Sequence, residues 1–267
     1  MEAIEDVAFV TASDIKYFPK AELTISELRK AGQWNGDIVL IAIDFEPSID
    51  FLNKYRVILH KVTHIDTSYL VEQITKFPLG GSNDNRHLGK LHQWDKLYVF
   101  TEYFRKWKRI VFVDAGLRTF DSVDRLVELP CDGCLMAPDD NGPYDKNNRF
   151  DCQVRYNANP EAAKRLFTDF SPEILNEHYF LNCIFMFDTA LLDLVTFEEM
   201  VEAMNKYPIC GTNEMTIMNL FFTFKLGVWV EMPQKLRGKY LFGWSELNYR
   251  ERPTWRDFCF IKYSVTG

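Results

Sequence analysis

Apolar runs and amphipathic stretches alternate from the beginning of the chain. Val7–Ala12 is short, β-branched and apolar, and it ends in Ser13 and Asp14, residues that favour turns and helix caps; this predicts a buried strand. From Pro19 to Lys30, Ala21, Leu23, Ile25 and Leu28 recur among charged residues before Gly32, the pattern of an amphipathic helix with its stop. Asp37–Asp44 is apolar on both faces, as a central strand covered by helices on each side must be. A short helix near Ser48–Tyr55 and a strand at Val57–Val62 complete a βαβαβ order. Leu91, Trp94, Leu97, Tyr98 and Phe104 then predict a helix over Lys90–Phe104, leading into a strand at Ile110–Val113. Further on, the pattern predicts helices near Pro160–Phe170, Ala190–Asn205 and Glu214–Phe224, with strands at Cys183–Phe187 and Val228–Val230. Residues 138–159 are polar and read as one long loop, and the last ~35 residues read as irregular and aromatic, with Tyr240, Phe242, Trp244, Tyr249 and Trp255. No linker or repeat interrupts the series, so a single α/β domain is expected over residues 1–267.

Composition narrows the partners. With 31 Lys+Arg against 38 Asp+Glu the formal charge is −7, which gives no overall electrostatic grip on nucleic acid; an anionic ligand must be held by a few local cations. The opening residues are acidic, and no apolar run approaches the roughly 18 residues that span a bilayer, so a soluble, cytoplasmic protein without a transmembrane segment is expected. Six cysteines are too sparse for a disulfide framework, and the Cys131/Cys134 pair reads as a buried strand edge. The phosphate-loop, dinucleotide, serine-hydrolase and zincin motifs are all absent. What stands out is Asp114-Ala115-Gly116 directly after a strand: ligands of open α/β sheets bind beyond the carboxyl ends of strands, although the same residues also make ordinary turns.

The segment from Leu88 to Asp139, with a K-L-x-x-W stretch, a strand ending in Asp114, and Ala137-Pro138-Asp139, resembles the central block of glycogenin-like glycosyltransferases of family 8. Tyr179–Asp188 and Glu214–Phe222 resemble two further blocks of that family in order and spacing, and the N-terminal strand, Thr-containing turn and helix are similar too. The resemblance implies a GT-A fold: a Rossmann-like, mostly parallel central sheet flanked by helices, with a nucleotide-sugar-binding half (about 1–139) continued by an acceptor-binding half (about 140–267). It implies that Thr11, Ala12, Tyr17, Lys90, Asp114, Ala115, Gly116 and Lys262 line the donor site, and that Asn182 and Glu214 meet the sugar as catalytic residues. Asp114 matches the first carboxylate of the family's Asp-x-Asp metal motif, but Gly116 stands where the second belongs, and Lys262 stands where the family has a metal-binding His. A divalent Mn²⁺ or Mg²⁺ cofactor on Asp114 is one expectation; the other is that Lys262, Lys90 or Arg118 neutralises the diphosphate directly. The implied activity is transfer of a hexose or pentose, from a UDP-sugar by preference, to a hydroxyl of a glycan or protein, with retention of anomeric configuration. The alternatives are a nucleotide-sugar-binding protein that has lost catalysis, or a nucleotidyltransferase; the latter is disfavoured because no Gly-rich loop follows the first strand.

Overall fold

A computed structural model describes residues 5–80, 86–142, 147–245 and 253–263; Met1–Ile4 of the acidic opening lie outside them. In chain order its strands are β1 (Glu5–Asp14), β2 (Asp37–Ile43), β3 (Val57–Val62), β4 (Trp107–Val113), β5 (Leu117–Thr119), β6 (Leu135–Ala137), β7 (Ile184–Asp188), β8 (Trp229–Glu231), β9 (Lys235–Leu236), β10 (Lys239–Trp244) and β11 (Phe258–Lys262). Seven of them form a central sheet in the order β3-β2-β1-β4-β7-β6-β8, and four form a small sheet in the order β5-β11-β10-β9. β3, β2, β1 and β4 run parallel, and β7 runs against both β4 and β6. The sheet is therefore mostly parallel, as its apolar strands predict, and helices such as Phe18–Lys30 and Phe197–Lys206 flank it.

One buried cluster runs from Val7 to Phe260, joining β1 to the small sheet. Below the carboxyl end of β4, Phe112 stacks on Phe185 (5.1 Å), and Phe100 packs on Phe187 and Phe222 (5.0 Å each), giving a rigid aromatic floor.

Three expectations need correction. The predicted helix at Lys90–Phe104 is two 3-10 helices, Leu91–Phe100 and Glu102–Lys106, with Lys90 just ahead of the first; Trp94 through Leu97 are all buried, so the segment threads the interior instead of lying on it with one apolar face. The stretch Ala190–Asn205 is likewise broken: a 3-10 turn at Thr189–Asp193 precedes an α-helix at Phe197–Lys206, whose start is fixed by a Thr196/Glu199 capping box. The described part of the C-terminal region is not irregular, because β9, β10 and β11 form one small sheet with β5, and Tyr240 and Phe258 stack at 4.9 Å within it; Tyr249 lies outside the described residues. The described part of the 138–159 loop is also ordered by its own amides: Asn141 N donates to Asp139 Oδ1 (2.8 Å) and Asn148 Nδ2 to Asp140 Oδ2 (2.7 Å).

Candidate active site

The chain leaves β1 toward β2 and β3 on one side and returns to pair β4 on the other, so the strand order reverses between β1 and β4. A parallel sheet opens a crevice at the carboxyl ends of such strands. Asp114 lies there, one residue beyond β4, and the β1–β4 register (Val10 opposite Phe112) carries Ala12 to its level. Leu117 N donates to Asp114 O (3.0 Å), closing a turn over Asp114-Ala115-Gly116. Gly116 takes φ +93°, a conformation that an L side chain strains to adopt. Buried Thr24 clasps this turn, accepting from Gly116 N (2.9 Å) and donating to Leu117 O (3.1 Å).

Two lysines converge on the Asp114 carboxylate. Lys96, from the 3-10 helix, sits 2.9 Å from Oδ1, and Lys262, from the end of β11, sits 3.0 Å from Oδ2. Lys262 is delivered by strand pairing, since it lies opposite Leu117 in β5 and Trp244 in β10. Lys96 also contacts Glu214 Oε1 (3.0 Å) and donates to Asn182 O (3.0 Å), with its Nζ 5.3 Å from the centre of the Phe112 ring. Asn182 Nδ2 in turn donates to Glu214 Oε1 at 2.9 Å. Lys96, Asp114, Asn182, Glu214 and Lys262 thus form one network of two carboxylates and two ammonium groups, formally neutral.

Glu214 opens the helix Glu214–Asn219, and both ends of that helix are pinned. At its start, Asn213 adopts φ +55° and its Nδ2 donates to Lys90 O and Gln93 Oε1 (3.1 Å each). At its end, Asn219 accepts from Phe180 N (2.9 Å) and donates to Phe180 O (3.0 Å), which also holds the backbone two residues before Asn182. Glu214 is 1% exposed, and its Oε2 is buried without a hydrogen-bond partner. An unsatisfied buried carboxylate oxygen is costly, and such costs gather at functional sites.

Burial alone would discharge Lys96, but Asp114 and Glu214 outweigh it and hold the ammonium above the ordinary lysine range. Burial likewise works against the Asp114 carboxylate, and Lys262 and Lys96 overcome it, leaving its pKa below the usual value. Cys183, buried beside Asp114, is pushed up to about 12 by desolvation and that negative charge.

The sequence-predicted residues divide into groups. Asp114, Asn182, Glu214 and Lys262 come together in the network. Thr11 is fully buried near the end of β1, Ala12 is half-buried beside it, and Tyr17 precedes the helix Phe18–Lys30, its ring 4.6 Å from His92. Lys20 links Tyr17 to the turn: its Nζ lies 5.2 Å from the Tyr17 ring centre, and its Cδ lies 3.4 Å from where a Cβ on Gly116 would stand. Lys90 contributes its backbone carbonyl to Asn213, and Arg118 is paired with Glu27 (2.5 Å). Ala115 is half-buried within the turn. Lys96 was not a sequence candidate; its signal is an Asp95-Lys96 pair set between Trp94 and Leu97, all four buried.

This residue set does not suit a hard divalent cation, which needs several oxygen ligands. Both Asp114 oxygens face ammonium groups, Gly116 offers no carboxylate, and no group of three or more His, Cys, Asp or Glu side chains among the described residues is arranged to hold a metal ion. Cys131 and Cys134 are buried beside β6, Sγ to Sγ 2.6 Å, away from this cluster. No described helix is long and apolar enough to cross a membrane.

No family model matches the chain, and no curated protein matches its sequence. Solved structures do. The galactosyltransferase LgtC, crystallised with donor and acceptor sugar analogues, aligns over 97% of this chain and 87% of its own at 14% identity and a TM-score of 0.59. The bifunctional glycosyltransferase WbbM aligns over 100% of this chain and 47% of its own at 13% identity (TM-score 0.57). The mannosyltransferase Ktr4p from S. cerevisiae covers 85% of this chain and 68% of its own at 9% identity (TM-score 0.52). The chain carries the GT-A glycosyltransferase fold.

Proposed function

We propose that this protein is a glycosyltransferase that moves a hexose or pentose from a nucleoside diphosphate sugar, UDP-linked by preference, to a hydroxyl of a glycan or protein, with retention of configuration. The observation that carries this reading is the buried Lys96–Asp114–Glu214–Asn182 network at the β1/β4 switch point, with Glu214 Oε2 left unpaired. LgtC, whose structure was solved with donor and acceptor sugar analogues, supports it through the shared fold. In the reaction, the bond from the anomeric carbon to the β-phosphate oxygen breaks and a bond to the acceptor oxygen forms on the same face. The acceptor proton passes to the departing phosphate oxygen. Glu214, steadied by Lys96 and Asn182, hydrogen-bonds the donor sugar and stabilises positive charge at the anomeric carbon. Asp114 orders Lys262, the lysine that faces the diphosphate.

The test is release of nucleoside diphosphate from a panel of UDP-, GDP- and CDP-sugars in the presence of glycan acceptors. One donor should turn over, and Glu214→Gln should lower its turnover about 10²–10³-fold with the fold intact. Full activity in Asp114→Ala would sink the assignment. Tight donor binding with no turnover would favour the alternative, a nucleotide-sugar-binding protein on the same fold.

A further inference from the structure

A nucleoside diphosphate gathers negative charge as it leaves a sugar, and a protein must meet that charge with a cation. The Asp114 turn meets it with lysines. Lys96 cannot serve directly: its three N–H groups are taken by Asp114 Oδ1 (2.9 Å), Glu214 Oε1 (3.0 Å) and Asn182 O (3.0 Å), and it is buried. Lys262 differs. Among the described residues its ammonium has one acceptor, Asp114 Oδ2 at 3.0 Å, which leaves two N–H donors, and its side chain is 20% exposed. Gly116 adds room for a phosphate to approach the backbone, and the side chain nearest to where its Cβ would stand is that of Lys20, another cation.

Resting on the glycosyltransferase reading above, we propose that the Lys262 ammonium, held in place by Asp114, fills the role of a divalent cation, so that this chain binds the diphosphate of its donor without metal. Lys96 is then a positioning residue that keeps Asp114 and Glu214 ionised and fixed, and Lys20 supplies a second positive charge at the mouth of the turn.

Calorimetric titration of the full chain with UDP, GDP, CDP and ADP, in EDTA and then in Mn²⁺, tests this directly. One nucleotide should bind with a Kd that changes by less than about threefold between the two media. Lys262→Met should weaken that binding about 10–100-fold in both media, the range expected for losing a charge-assisted hydrogen bond, whereas Lys262→Arg should retain most of it. Lys262→Gln replaces the Met variant if that one fails to fold. A Kd that tightens tenfold or more in Mn²⁺, or neutral variants that bind like the wild type, overturns the proposal. A second measurement, the electron-paramagnetic signal of free Mn²⁺ on adding protein alone, should show no uptake. Stoichiometric uptake that Asp114→Asn abolishes overturns the proposal and leaves the transferase reading intact. Failure of every nucleotide to bind in either medium overturns the transferase reading, and the proposal with it.

Discussion

Two carboxylates stand at the same end of the central sheet, and their surroundings differ in kind. Asp114, one residue past β4, is held by two ammonium groups. Asp139, two residues past the parallel strand β6, is held by an imidazole and amides: His178 Nδ1 lies 2.6 Å from its Oδ2, and Asn141 N and Nδ2 donate to its Oδ1 (2.8 and 2.9 Å). Asp139 borders a small cleft that Glu231 and Phe242 also line. There burial, and then Asp139, push the Glu231 carboxyl up while His178 opposes them. The Asp114 end is thus an ion cluster, in which Asp114 and Glu214 hold the Lys96 ammonium above the ordinary lysine range. At the Asp139 end the one ring partner, His178, is 47% exposed, and amides stand where the Asp114 end has a second cation.

The sharpest way to break this contrast is Lys96→Met. It leaves the buried Glu214 and the half-buried Asp114 short of a counter-ion and should cost about 3–5 kcal/mol, read by chemical denaturation. Its pH dependence adds a second check. In the wild type the depressed Asp114 pKa contributes stability that is complete above about pH 4 and is lost as the pH falls through the folded value. The raised Lys96 pKa contributes stability that is complete below about pH 10 and is lost as the pH rises through its folded value. These groups should therefore add no slope between about pH 5 and 9. In Lys96→Met the stability deficit should shrink toward pH 5, because buried carboxylates without a partner take up protons. Asp139→Asn, which keeps an acceptor for Asn141 but removes the charge, should cost about 1–2 kcal/mol. His178→Ala, breaking a half-exposed pair, should cost less than about 1 kcal/mol and leave nucleotide affinity unchanged. Equal losses in Lys96→Met and His178→Ala would erase the distinction.

Legibility in the sequence follows burial. Strands β1, β2, β4 and β7 are covered on both faces, so their residues form unbroken apolar runs that announce them. β9, β10 and β11 mix lysines with aromatics because the small sheet is partly open, and the aromatic content alone did not separate strand from coil. The site shows the same division. Asp114 is marked by its place at a strand end, and Glu214 and Asn182 by the blocks around them. Lys262 is marked only by standing where the family resemblance expects a His, and its contact with Asp114, 148 positions away, depends on the pairing of β11 with β5, which no local pattern encodes. Lys96 was invisible because a lysine in a helical stretch normally points to water, and here a 3-10 segment with four consecutive buried residues turns it inward.

That pairing also sets an order of events in folding. Contacts between segments so far apart form slowly, because the intervening chain must be gathered first. The β3-β2-β1-β4 core and the Lys96–Asp114 contact come from the first half of the chain, while the docking of β11 on β5 must close a loop of more than half the chain. In refolding, helical and aromatic signals should thus recover ahead of nucleotide binding, and the interval between them measures how long the molecule exists as a near-native shell with an unfinished charge balance.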